Sequence, residues 1–180
     1  MKTRRVIISI LLVIGILAFS VTEFIIKPKK ERKETKYKLE QQDALTHDFK
    51  NVIKYKSKYM GDSSNIINLN YALPLNNIPR TNEIDSKNLE YIINYKEALE
   101  NMDEDKVKAD LIYNATANFA LIDNLQAITF NFTGKAFRIT RNYLKDWYKE
   151  NLSSLTEESK WKTAVQEKLA DKNYVNEFWK

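Results

Sequence analysis

The stretch "DKVKADLIYNATANFALIDNLQAITFNFTGKAFRIT", residues 105–140, decides the fold class. Its first half repeats apolar residues at helical spacing and predicts a helix of about 20 residues, with the core positions Val107, Leu111, Ile112, Ala115, Phe119 and Ile122. Asn101 and Glu104 have the spacing of a capping box at its start. Apolar residues then alternate on both sides of Thr133 and Gly134, which predicts a β-hairpin over 127–140.

The segments on either side add one strand and several short helices. Alternation over 88–95 predicts a strand, and helices are expected near 48–57 and 64–72, the second capped by Asp62 or Ser63. Thr140 is expected to cap a helix after the hairpin, and another helix is expected to start at Thr156. The fold class is therefore α+β, a small antiparallel sheet of about three strands packed against several helices.

The N-terminus is predicted to be a membrane anchor. Residues 6–26 are apolar apart from Glu23 and are long enough for a transmembrane helix, so membrane lipid is the expected partner of this segment. A cleaved signal peptide, with cleavage near Ser20 and a secreted product, fits nearly as well. The predicted organisation is an anchor or signal over 1–26, a charged linker over 27–47 and a folded domain over 48–180.

The charge distribution argues against nucleic acid as a partner. The chain has net charge +5, yet residues 1–40 hold ten basic and four acidic residues, so the remainder is close to neutral. A basic face on the domain itself is therefore not expected. Five basic residues follow the apolar segment within 27–33 and three precede it, which by the positive-inside rule favours a cytoplasmic domain. A short basic head before a long apolar run is, however, typical of exported chains, and the two topologies stay open.

The residue types required by common catalytic sites are scarce. There is no cysteine, and the only histidine is His47, predicted to be exposed to solvent, so no metal or cofactor is expected. An acidic group follows the predicted strand (Glu97, Glu100, Asp103, Glu104 and Asp105), and helix N-terminal charge explains it. A carboxylate hydrolase using Asp62, Asp110 or Asp123 is the catalytic alternative.

The stretch "IKYKSKYMGDSSNI" (53–66) resembles the opening signature of the domain of unknown function 4825 family of Gram-positive bacteria. The signature falls on Lys54, Tyr55, Lys56, Tyr59, Gly61, Asp62 and Ser64, which are the tentative binding residues. Within it, Tyr55 and Tyr59 are expected to pack their rings on the core while the lysines stay in solvent. Residues 73–75, 93–95, 113–132 and 139–144 also fit, and the resemblance covers about 49–152. A Pro-Tyr-Gly-like element of the family is replaced here by Lys87, Asn88 and Leu89, and the loop at 76–88 is shortened relative to the family.

The resemblance implies an extracytoplasmic module behind a signal or an anchor, with no known catalytic residues. We therefore expect a single-pass protein of the cell membrane whose C-terminal domain lies outside. It is expected to bind or sense an envelope protein or a wall ligand without catalysis. The alternatives are the carboxylate hydrolase and a cytoplasm-facing interaction protein.

Overall fold

A computed structural model describes residues 4, 7, 11, 12, 15 and 19–180. Contacts divide the chain into two compact units, Met1–Leu39 and Glu40–Lys180. Nine of the 21 residues of the predicted transmembrane segment, 6–26, lie outside the described residues. Among the residues that are described, none belongs to a helix with the length and apolar character needed to cross a bilayer.

The described part of the first unit is helical. A π-helical turn, Thr22–Ile26, leads directly into helix α1, Lys27–Glu40. An ion pair between Glu23 and Lys27 joins the two segments, one helical turn apart. The charged stretch after the apolar run is thus a helix as far as Glu40, and the division between the two units falls between Leu39 and Glu40.

The second unit contains a four-stranded mixed sheet in the order β1-β2-β3-β4: Arg80–Asp85, Glu90–Ala98, Ala127–Thr133 and Lys135–Thr140. The outer pairs are antiparallel, and β2 and β3 are parallel. The predicted α+β class is confirmed. The prediction of an antiparallel sheet of about three strands was wrong, because the sheet is mixed and has four strands. The first strand was missed because "RTNEID" has a single apolar residue, Ile84, and follows Pro79. Its place in the sheet comes from pairing with β2.

The parallel pair follows from the central helix, α4, Glu104–Leu121, which lies between β2 and β3 in the chain. Eighteen residues of helix span about 27 Å, enough to return the chain for a parallel crossover. Fourteen of the eighteen residues are buried, so this helix is core on almost every side. The cap is Asp103, whose carboxylate accepts from Lys106 N at 3.1 Å, and not Asn101 as predicted.

The second unit has five further α-helices. They are α2 (Lys50–Ile53), α3 (Ser63–Ala72), α5 (Arg141–Tyr148), α6 (Glu158–Trp161) and α7 (Lys172–Phe178). The predicted caps Asp62 and Thr140 are confirmed, because each side chain accepts a backbone N–H in the first turn of its helix. The helix expected from Thr156 starts instead at Glu158 and continues as a π-helical turn, Lys162–Gln166.

Local chemistry explains two further outcomes. Gly134 has φ 85°, the left-handed conformation that the tight turn between β3 and β4 requires, so the predicted hairpin is confirmed. Helix α2 ends at Ile53, earlier than predicted, because the chain beyond it turns to pair with the end of the central helix at Ser57 and Ile122.

Candidate functional site

The predicted binding segment, 54–64, lies on the surface. Six of the tentative binding residues are exposed: Lys54, Lys56, Tyr59, Gly61, Asp62 and Ser64. Tyr55 is partly buried against the core, with the Lys54 ammonium 5.1 Å from its ring centre. Tyr59 was expected to pack its ring on the core, but 67% of it is exposed. The segment therefore presents lysines and one tyrosine to solvent.

Backbone hydrogen bonds tie this segment to the C-terminal end of the central helix. Ser57 N donates to Leu121 O at 2.8 Å, and Asp123 N donates to Ser57 O at 3.0 Å. Met60 is buried, and its N–H donates to the Asn124 side chain at 2.7 Å. The signature thus has a clear folding role, which leaves the exposed side chains as the part available to a ligand.

The three candidate catalytic carboxyls do not meet in one cleft. Asp62 is exposed and accepts from Asn65 N at 3.0 Å as a helix cap. Asp110 lies in the second turn of the central helix, and the exposed Asp123 follows the other end of that helix, about 20 Å away at 1.5 Å per residue. Only Asp110 lies in a buried environment.

Two members of the acidic group, Glu104 and Asp105, form ion pairs with lysines. Glu104 pairs with Lys108 at 3.0 Å and with Lys135 at 2.8 Å, and the hydrogen bond from Lys135 lowers its pKa. Asp105 pairs with Lys172 at 2.9 Å. Across the described ranges, no three acidic or histidine side chains are grouped so that they could hold a metal ion.

A cavity of about 310 Å³ opens between the first turns of the central helix, the segment 43–45 and the C-terminal helices. We call it the junction cavity, because 43–45 lies just beyond the end of helix α1 at Glu40. Its charged walls are Asp43, Asp103, Asp105, Asp110, Lys106 and Lys172, and its other walls are Leu45, Ala109, Leu169, Ala170, Val175 and Asn176. Four carboxyl groups against two ammonium groups give it an acidic, amphipathic lining.

Asp110 is the most buried charged residue that lines the junction cavity. Its carboxylate accepts from Ala44 N at 2.8 Å and from Lys106 Nζ at 2.7 Å. Burial raises its pKa to about 6, although the neighbouring Lys106 ammonium acts in the opposite direction. The same ammonium donates to Gln42 O at 2.8 Å and lies 3.7 Å from Asp43. One buried carboxyl and one lysine thus hold the segment after helix α1 against the central helix.

His47 extends this attachment, and the prediction that it is exposed was wrong: only 2% of it is accessible. Its Nε2 lies 2.7 Å from Ala72 O and its Nδ1 2.8 Å from Tyr113 Oη. Since a carbonyl only accepts, Nε2 carries the proton and Nδ1 accepts from the tyrosine hydroxyl. Burial lowers the pKa of His47 and keeps the ring neutral. Gln166 donates to His47 O at 2.9 Å on the other side.

Sequence reasoning missed this group because its members are far apart in the chain. One signal was present, since Asp110, Asn114 and Asn118 recur every four residues and lie on one face of an otherwise apolar helix. The structure gives each a partner: Asp110 meets Ala44, Asn114 donates to Pro74 O at 2.8 Å, and Asn118 exchanges hydrogen bonds with Asn70.

The comparison with known families matches the part of the chain that contains the signature, the sheet and the central helix. The family model described as Domain of unknown function (DUF4825) matches residues 52–142, half of the chain. The chain belongs to the DUF4825 family. No curated protein and no solved structure matches it. The DUF4825 match includes the signature and the sheet, but the junction cavity takes walls from both sides of it, at 43–45 and 169–176.

Proposed function

We propose that this protein is a membrane-anchored, extracytoplasmic module that binds a small amphipathic cation in the junction cavity, without catalysis. The observation that carries the proposal is the lining of that cavity, where carboxylates and aliphatic side chains face the same space. A volume of about 310 Å³ is at the small end of the range for ligand sites. The ammonium group of such a ligand would pair with the carboxylates, and its short alkyl part would pack against the aliphatic side chains.

The position of the cavity supports a sensing role. One wall is the segment 43–45, which lies just beyond the end of helix α1 and thus follows the predicted anchor. A ligand that contacts both this segment and the central helix stabilises the arrangement in which they are attached. Because a ligand shifts an equilibrium only by its differential affinity, binding here favours the attached state over any detached one.

A non-catalytic role is supported by how Asp110 is used. A general acid or base needs a carboxyl within reach of substrate, and a raised pKa suits that task. Both oxygens of Asp110 are instead engaged, one with Ala44 N and the other with Lys106. Asp62 and Asp123, the other candidates, lie elsewhere on the surface.

Ligand-observed NMR on the full chain in detergent micelles tests the binding proposal. We expect saturable binding of n-butylammonium, and weaker binding of n-butanol and n-butyrate, which match its size but not its charge. Ala170→Trp places a large ring at the exposed rim of the cavity and should weaken n-butylammonium binding by about tenfold or more.

The matched control is Ala136→Trp, which adds the same ring to an exposed site on β4 outside the cavity lining. This variant should bind n-butylammonium as the unsubstituted chain does. If the three probes bind equally, or if Ala170→Trp and Ala136→Trp behave alike, the junction cavity is not a cation site.

The proposed location has its own test. The short basic start before the apolar segment 6–26 supports export, with the C-terminal domain outside the membrane. Protease added to intact protoplasts should digest this domain, and the mass of the protected remainder distinguishes an intact anchor from cleavage near Ser20. Protection until lysis would contradict export and would support the cytoplasm-facing alternative.

A second binding surface is proposed on the exposed signature side chains. Lys54, Lys56 and Lys58 lie within five residues of one another beside the exposed Tyr59. A cluster of ammonium groups next to an aromatic ring suits an anionic wall polymer, because the charges attract it and the ring offers a flat contact. We propose this surface as the site of an envelope or wall partner.

A further inference from the structure

Helix α1, Lys27–Glu40, carries its charges unevenly around its axis. Seven of its fourteen residues are basic and three are acidic. Four of the basic residues recur at the i, i+3, i+4 and i+7 spacing that places them on one face. We call these four the basic face: Lys29, Arg32, Lys33 and Lys36. Glu40, one turn beyond Lys36, is the only carboxylate of the helix on the same face, and it marks where the basic face ends.

The opposite side of the helix mixes charges of both signs. Glu31 and Glu34 lie there together with Lys30 and Lys38. The Lys30 ammonium is 3.9 Å from the Glu34 carboxylate, one helical turn away. Two acidic and two basic residues leave this side without net charge, so the positive charge of the helix is concentrated on the basic face.

The cations of the basic face lack such compensation. Within the described residues, no carboxylate lies at ion-pair distance from Lys29, Arg32 or Lys33. All three residues are exposed. Like charges three or four residues apart on a helix repel one another. An external anion that lies along this face therefore relieves repulsion and supplies the missing partner.

Apolar side chains continue the basic face toward the N-terminus. Phe24 and Ile25 are 78% and 60% exposed. Together with Pro28 they line a shallow concavity whose other walls are the four cations of the basic face. A helix that presents apolar and basic side chains to the same side suits a membrane interface, where acyl chains lie beneath phosphate groups. A soluble polyanion would leave the apolar part of this surface in water.

We propose that the basic face of helix α1 binds the phosphate groups of anionic phospholipids and holds the helix against the membrane surface. Arg32 offers a planar fork that binds a phosphate through two hydrogen bonds, and each lysine adds a point charge. A basic residue close to an anionic bilayer strengthens binding by about fivefold. Because the cations lie along one side, the flank of the helix meets the headgroups. The proposal depends on helix α1 and not on the junction cavity.

Lysine labelling of the full chain in lipid nanodiscs tests the proposal within one molecule. The predicted anchor would retain the chain in any bilayer, so the measurement is the acylation rate of each lysine, read by mass spectrometry. Phosphatidylglycerol, compared with phosphatidylcholine, should slow the acylation of Lys29 and Lys33 by about fivefold or more. The rates of Lys30 and Lys38 should change little. Salt at about 1 M should remove the protection, because the screening length falls to about 3 Å.

Arg32→Gln and Lys30→Gln are a matched pair. Each replaces one cation at an exposed position of the same helix, so the change in net charge is identical. Arg32→Gln should remove most of the protection of Lys29 and Lys33 by phosphatidylglycerol. Lys30→Gln should leave that protection as it is in the unsubstituted chain.

Three results would overturn the proposal. If both sides of the helix are protected equally, or if Arg32→Gln and Lys30→Gln behave alike, the bilayer responds to net charge and the basic face is not a lipid site. If the acylation rates are the same in the two lipids, no headgroup is bound. If soluble poly(glycerol phosphate), added to phosphatidylcholine discs, protects Lys29 and Lys33 as strongly as the anionic lipid does, the partner is a wall polymer.

Discussion

Two short polar segments before the central helix, 54–64 and 42–49, are attached in opposite ways. The first, inside the DUF4825 match, is fixed by its backbone and keeps its charged side chains in solvent. The second, outside that match, is held through buried side chains, with Asp110 on Ala44 and Tyr113 on His47. A backbone-anchored segment can change those exposed side chains that make no contact, such as its lysines, with little loss of stability, whereas a segment held by buried polar groups cannot change those groups.

The largest loss in the free energy of unfolding is expected on substitution of His47. His47→Ala leaves the Tyr113 hydroxyl and Ala72 O buried without partners and creates a cavity, so we expect a loss of about 4 kcal/mol in the free energy of unfolding. Urea denaturation of the full chain measures it. His47→Gln, which can keep one hydrogen bond, should lose about half as much. A loss below about 1 kcal/mol for His47→Ala would mean that 42–49 is not held as described.

The pH dependence of stability tests Asp110. Its pKa rises from 3.8 in the unfolded chain to about 6 on folding, so its stabilising contribution is complete below pH 3.8 and is lost as pH rises through 6. The full difference is about 3 kcal/mol, because one pKa unit corresponds to about 1.4 kcal/mol. His47 has the opposite sign: its lowered pKa gives stability above pH 6.5 that is lost on acidification.

Asp110→Asn separates the two contributions. The free energy of unfolding of the unsubstituted chain minus that of Asp110→Asn should fall by about 2 kcal/mol between pH 4 and pH 7, measured by urea denaturation at each pH. The variant itself should become more stable with rising pH, since the His47 contribution is then unopposed. A stability difference that does not change with pH would contradict a buried Asp110 with a raised pKa.

A smaller effect is expected at the start of the signature helix. Asp62→Ala removes the cap on Asn65 N and should reduce the free energy of unfolding by about 1 kcal/mol. Ser64→Ala, at an exposed position of the same turn, should change it by less than about 0.5 kcal/mol. Equal effects of the two substitutions would show that the cap contributes nothing.

The smallest effect on stability is expected for the exposed lysines. The triple variant Lys54→Gln, Lys56→Gln and Lys58→Gln should keep the free energy of unfolding within about 0.5 kcal/mol of the original. Its retention on immobilised poly(glycerol phosphate) should nevertheless drop, and salt should no longer affect retention strongly.

A control with the same change in net charge completes that test. Lys145, Lys162 and Lys168 are also exposed and lie outside the signature, so their replacement by Gln should leave retention unchanged. If both triple variants lose retention equally, the polymer responds to net charge, and the signature surface is not a specific site.

Helix caps, turns and apolar periodicity were available from the sequence. Asp62, Thr140 and Gly134 act on neighbours within three residues, so a single stretch contains the whole interaction. The central helix could be predicted for the same reason, although its cap was misplaced by two residues. The exposed part of the signature segment was also predictable, except that Tyr59 does not pack on the core.

Only the tertiary structure decided the parallel pairing of β2 and β3, the strand β1, the burial of His47 and Asp110, and the junction cavity. In each of these, the partners are separated by many residues: Ala44 meets Asp110 and His47 meets Tyr113 across 66 residues. From the local sequence alone, a polar residue is predicted to be exposed. Its burial becomes favourable only when a distant part of the chain supplies a hydrogen-bond partner. The sequence by itself therefore determined the local elements, and long-range packing determined which polar residues became core and which surfaces could bind.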